Sequence, residues 1–124
     1  MRALTDAEVA VLTAMIQHAP PDTDPESVTE ERRAKWLGQV PRVSVARECG
    51  CGTCASIELA LDGVPVPQAW SDEALFAYDV RQDALVLVHI INDVIRELEV
   101  APVYNTVVTT PNPAALDFSG WSEP

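Results

Sequence analysis

The sequence is short of positive charge. Eight Lys and Arg stand against nineteen Asp and Glu, a formal net charge of −11. Proteins bind nucleic-acid backbones by replacing counterions with their own cations, so this balance argues against that function. It argues equally against docking on anionic lipid. The charge suits a soluble protein, or one that meets a basic partner. Long apolar runs are missing too. The longest, Ala84 to Ile91, is interrupted by His89 and stays well below the roughly 20 residues that span a bilayer. Met1-Arg2-Ala3-Leu4-Thr5-Asp6 reaches an acidic residue at once and has no h-region, which predicts no signal peptide and a cytoplasmic location. Three cysteines is an odd number, and reduced thiols are the expectation in that compartment. There is no G-x-S-x-G, P-loop, H-E-x-x-H or G-x-G-x-x-G. Without a visible nucleophile–base pair, no catalytic residue is assigned and a non-enzymatic role is favoured.

What is present reads as one α+β domain over residues 1–124. Hydrophobic residues make up 48% of the chain, enough for an ordinary core rather than a disordered segment. Thr5 and Glu8 have capping-box spacing, and Val9, Leu12, Met15 and Ile16 recur at helical intervals, predicting a helix over 5–18. Ala19-Pro20-Pro21 ends it. Ser27 and Glu30 repeat the box and predict a second helix over 28–38, with Gly38 as its stop. From residue 42 to 110 the period changes to two. Strands are expected around Val43–Val45, Cys54–Leu61, Ala74–Val80, Ala84–Ile91 and Val94–Val100, with Tyr104–Thr110 as a final edge strand. Ala84–Ile91 is apolar on both faces and should be central. Asn92-Asp93 suits a two-residue hairpin turn. The expected architecture is thus two N-terminal helices packed on a mostly antiparallel sheet of four to five strands. Residues 118–124 read as a loose tail, from which Phe118 and Trp121 can dock.

Two places carry candidate chemistry. The first is Cys49-Gly50-Cys51-Gly52-Thr53-Cys54, a C-x-C-x2-C segment at the tip of an expected hairpin. Three thiolates can hold zinc, with His89, His18 or a carboxylate as fourth ligand. Structural zinc sites usually pair two separated C-x2-C knuckles, and only Cys51 to Cys54 has that spacing. The same segment reads as a glycine-rich turn with small, partly buried cysteines. Cys51-Gly52-Thr53-Cys54 also has the C-x-x-C redox spacing, but leads into a strand rather than a helix. The second place is an acidic sheet face. Glu97 and Glu99 share a strand face, Glu58 points similarly from a neighbouring strand, and Asp93 sits at a hairpin tip. These four residues are the expected surface for a basic protein partner, in the manner of an immunity or inhibitor protein. Alternation alone also explains them as the solvated side of a sheet. The acidic-face reading needs no cofactor. The alternative is a zinc-binding or thiol redox-responsive protein built on the three cysteines.

Three segments in order carry a resemblance: Leu4-Thr5-x-x-Glu8, Cys49-Gly50-Cys51-Gly52 followed by Ser56-Ile57-x-Leu59, and Arg96-x-Leu98-Glu99-Val100. Together they resemble a group of small, acidic, uncharacterised proteins of actinobacteria and their phages. The resemblance covers residues 4–100 in outline and implies a cytoplasmic α+β domain. It implies no activity. In that group the third cysteine tends to follow the second glycine directly, where this chain has Thr53, and the late hairpin tends to carry Asp-Gly, where this chain has Asn92-Asp93.

Overall fold

The computed structural model describes residues 1–22, 24–67 and 69–119. The chain opens with β1 (Arg2–Ala3) and enters α1 (Asp6–His18) through the expected capping box. The Thr5 hydroxyl accepts the Glu8 N–H at 3.1 Å, and the Glu8 carboxylate accepts the Thr5 N–H at 2.8 Å. Glu8 is buried there, and both of its oxygens also take the Arg2 guanidinium, at 2.7 and 3.0 Å.

Helix α2 (Glu30–Gln39) starts later than residue 28 because Ser27 is engaged elsewhere. Its hydroxyl donates to the Glu73 carboxylate at 2.7 Å, and Thr29 caps the helix instead, accepting the Arg32 N–H at 3.2 Å. The helix runs through Gly38 and yields one residue later to a 3-10 turn containing Pro41, which has no N–H to extend the ladder.

The expected sheet of four to five strands is corrected: among the described residues the sheet has eight. The remaining strands are β2 (Val43–Glu48), β3 (Ile57–Leu61), β4 (Val64–Pro65), β5 (Glu73–Asp79), β6 (Ala84–Ile91), β7 (Val94–Pro102) and β8 (Leu116–Asp117). Their order is β1-β2-β3-β7-β6-β5-β8, with β4 beside β3, and neighbouring strands run antiparallel. The reason for the undercount is length. β1, β4 and β8 have two residues each, too few to show a period. Tyr104–Thr110 forms no strand. Pro102 and Pro111 bracket it, and its amides go to other partners: Val108 N–H to the Thr53 carbonyl at 2.9 Å, Thr109 N–H to the Gln82 side chain at 2.8 Å. The last ladder is β8, paired with Tyr78 and Asp79.

Alternation sets the two faces of the sheet. Val86, Val88 and Ile90 of β6 and Leu98 and Val100 of β7 form one core with Val11, Leu12, Met15 and Ile16 of α1 and Trp36 of α2. Leu87, His89, Glu97 and Glu99 therefore point to the opposite, outer face. β6 is central, between β5 and β7, as expected. The Asn92-Asp93 turn has positive φ at both residues, 49° and 59°, as a two-residue hairpin requires.

β3 pairs with β7 only through Ile57–Leu98 and Glu58–Glu97. Side chains finish the β7 edge on either side. Gln39 accepts the Ile95 N–H at 3.1 Å and donates to the Asp93 carbonyl at 2.7 Å, while the Ser56 hydroxyl accepts the Val100 N–H at 2.8 Å. Opposite β6, His89 faces Glu97 but Ile90 faces Ile95, so Arg96 is the extra residue of a β-bulge. Phe118 packs its ring 5.6 Å from His18, and Trp121 lies outside the described residues. Among the described residues, no helix is long and apolar enough to cross a membrane.

Candidate thiol metal centre

The connection between β2 and β3 carries all three cysteines. Its base is closed by the Cys49 N–H donating to the Ser56 carbonyl at 3.1 Å, and its tip is tied to the 104–110 segment through Thr53 and Val108. Gly50 and Gly52 take φ of 73° and 82°, values that L side chains adopt only with strain. An added Cβ would meet nothing within 4 Å at either position, so backbone shape rather than space calls for glycine. Two left-handed residues in three fold the segment back on itself and bring its sulfurs together.

The three Sγ atoms lie within 4.8 Å of one another, and Cys51 and Cys54 are 3.1 Å apart. Four thiolates around zinc at about 2.3 Å stand about 3.8 Å from each other, so these sulfurs need only small shifts to share one ion. The backbone also points at sulfur. The N–H groups of Thr53 and Cys54 face Cys51 Sγ at 3.5 and 3.3 Å. Those donors, with the nearby hydroxyl, favour a charged sulfur. The Thr53 side chain and backbone, joined by the Cys54 and Cys49 thiols, lower the Cys51 thiol to about 5. Cys49 is pushed up to about 11, chiefly by its contacts with Cys54 and Cys51, since one cluster does not readily hold several negative charges. All three cysteines are free, with Cys49 and Cys51 exposed and Cys54 half-buried. Thr53 is the residue that sequence reasoning passed over, although its place inside C-x-x-C is the available signal.

His89 does not belong to this cluster of ligand atoms. Its Nδ1 meets the Ser71 hydroxyl at 3.1 Å and its Nε2 meets Glu99 at 2.7 Å. The cysteines instead share a cleft with the acidic face. Cys49 and Cys54 line a space of about 330 Å³ together with Arg47, Glu58, Glu97 and Glu99. Glu58, Glu97 and Glu99 thus occupy one surface, as the alternation predicts. Each is held by a group of the same chain: Glu58 by Arg47 at 3.2 Å, Glu97 by Arg96 at 3.2 Å, and Glu99 by His89, whose hydrogen bond keeps that carboxyl below the usual range. Asp93 stands apart from them. It accepts from Arg32 at 2.8 Å and Trp36 Nε1 at 3.3 Å, with Lys35 at 3.7 Å, and joins the hairpin tip to α2. Comparison of the chain with family models, with curated proteins and with solved structures finds no match.

Proposed function

We propose that this protein binds a thiophilic metal, zinc in the first instance, through Cys49, Cys51 and Cys54. The observation that carries the reading is the convergence of three sulfurs within 4.8 Å on a loop whose glycines and amides favour that arrangement. Three thiolates leave one position of a tetrahedral ion for water, an outside thiol or a carboxylate of the adjoining cleft. Sulfur ligands favour zinc and Cu(I) over the hard cations that oxygen ligands select. Free, exposed thiols suit a reducing compartment, so the cytoplasm is part of the same proposal. A thiol switch between Cys51 and Cys54 is the rival use of these atoms, but it leaves Cys49 without a role. The acidic face is weaker ground for a basic partner, because Glu58, Glu97, Glu99 and Asp93 each already hold a partner within the chain.

The deciding measurement is metal content after purification under reducing, chelator-free conditions, followed by Co(II) substitution. One equivalent of zinc is expected, with thiolate-to-cobalt charge-transfer absorption that falls in each of C49S, C51S and C54S. A metal-free wild type that takes up neither ion, and whose Cys51–Cys54 pair oxidises readily to a disulfide, would establish the redox use instead.

A further inference from the structure

On the outer face, beyond the thiol loop, a serine, a histidine and a carboxylate line up from three separate parts of the chain. Ser71 comes from the segment before β5, His89 from β6 and Glu99 from β7. The Ser71 hydroxyl is 3.1 Å from His89 Nδ1, and His89 Nε2 is 2.7 Å from Glu99. An ionised carboxylate only accepts, so the proton of the neutral ring sits on Nε2. Nδ1 is left with its lone pair and accepts the Ser71 O–H. That is the nucleophile, base and orienting acid of acyl-transfer centres, in a geometry recognised by roles rather than by sequence order. The bulge in β7 adds a fourth member. It turns the Arg96 guanidinium toward Ser71, with Nη2 at 3.2 Å from Oγ. A donor already touching the nucleophile is placed to receive the negative charge that develops when Oγ attacks a carbonyl.

We propose that Ser71, His89 and Glu99 form an acyl-transfer centre that hydrolyses small esters carrying a positive charge. His89 Nδ1 takes the Ser71 proton as Oγ bonds to the ester carbonyl carbon, and the carbonyl oxygen becomes the oxyanion beside Arg96. Collapse breaks the bond to the leaving oxygen, which takes the proton from Nδ1. Water then attacks the acyl-serine, giving one proton to Nδ1 while Oγ departs with it and the carboxylic acid leaves. Substrate charge follows from the wall of the site. Asp22 and Asp72 line a space of about 400 Å³ in which Arg96, the permanent cation, is already offset by Glu97, so the wall keeps an excess of negative charge. Trp70, 97% exposed, stands at the rim and offers a ring face to a cationic group.

The experiment exposes the wild-type protein to a fluorophosphonate, which bonds to activated serine oxygens, and maps the adducts by peptide mass spectrometry. Ser71 is expected to be labelled at least tenfold faster than Ser44 or Ser119. Labelling should fall about a hundredfold in H89Q, the scale of a lost general base, and less in E99Q. A choline or lysine ester should be cleaved in preference to its neutral isostere. A wild type that gains no Ser71 adduct, or labels Ser71 no faster than the other serines, overturns the proposal without recourse to any variant. Undiminished labelling in a folded H89Q overturns it as well, because exposure alone would then explain the reaction.

Discussion

The reactivity of Cys51 is the sharpest quantity that the thiol loop offers. Its pKa of about 5 compares with 9.0 for an ordinary thiol. At pH 6 an ordinary thiol is about one part in a thousand thiolate, whereas Cys51 is almost wholly ionised, an advantage of about 900-fold. A thiolate loses intrinsic nucleophilicity as its pKa falls, with a Brønsted slope of about 0.45, so four pH units cost about sixtyfold. The net expectation at pH 6 is alkylation about fifteenfold faster than that of a simple thiol such as N-acetylcysteine. At pH 8 the ionisation advantage shrinks to about elevenfold and the order reverses, leaving Cys51 about fivefold slower. The assay is iodoacetamide alkylation of the metal-free, reduced protein, with each cysteine followed by peptide mass spectrometry. Cys51 should react at a nearly constant rate from pH 6 to 8, while Cys49 reacts slowly throughout. A Cys51 rate that climbs about tenfold per pH unit over that range would mean an unperturbed thiol. The amides and hydroxyl of Thr53 would then not stabilise the thiolate, and the case for a preformed metal cradle would fall with them.

Other outcomes follow from the same geometry. Since Cys49 holds its proton up to about 11, zinc must displace at least that proton, and the affinity should rise at least about tenfold per unit between pH 6.5 and 8.5. Competition titrations at several pH values check this, and a flat profile refutes Cys49 as a ligand. Glu8 supports α1 and Arg2 together, and Arg2 holds its carboxyl below the usual range. Its contribution is therefore present above the unfolded carboxyl value, near 4.5, and is lost as pH falls through the lower folded value. Urea melts should show E8Q less stable than wild type by about 1–3 kcal/mol at pH 7, with the gap closing in acid. Gln39→Ala strips the Ile95 N–H and the Asp93 carbonyl of their partners and should cost about 2 kcal/mol or more in the same assay. A loss below about 0.5 kcal/mol would mean that β7 closes its edge without Gln39.

Local rules carried much of the fold. The Thr5–Glu8 box starts α1, Asn92-Asp93 turns the β6–β7 hairpin, and the alternation of Val94 to Val100 separates Glu97 and Glu99 from the core as expected. Each of these depends on residues within one turn or one strand of each other. The misreadings share a different cause. Ser27 has a good capping partner nearby in Glu30, yet its hydroxyl goes to Glu73, a choice made by tertiary packing. The two-residue strands exist only because longer strands present edges to them. Arg96 breaks alternation in the sequence, but only the pairing with His89 and Ile90 reveals a bulge. The candidate sites divide along the same line. The cysteines are neighbours in the chain and so were visible as a group. Ser71, His89 and Glu99 meet across two strands, and no spacing between them announces it.

The scarcity of cations acquires a meaning from where they sit. Arg2 joins β1 to α1 and β2 through Glu8 and Glu48. Arg32 and Lys35 join α2 to the β6–β7 hairpin through Asp93, with Arg32 also 4.8 Å above the Trp36 ring. Arg42 holds Asp62 at the far end of the β2–β3 pair, and Arg47 holds Glu58 near the thiol loop. Arg96 faces Glu97 and Ser71. Five of the eight cations, Arg2, Arg32, Lys35, Arg42 and Arg47, thus stand at joints between elements, where a like charge would repel its neighbours and a neutral residue would leave a carboxylate without a counterion. Exposed pairs of this kind contribute little to stability each, about 0–1 kcal/mol. Their effect falls on specificity, because a slipped register or a misdocked helix would set acid against acid. Five further acids, Asp22, Asp24, Glu26, Glu30 and Glu31, gather at the entry to α2, where Arg33 answers Glu30. Glu30 and Glu31 suit that position, since the first turn of a helix favours negative charge.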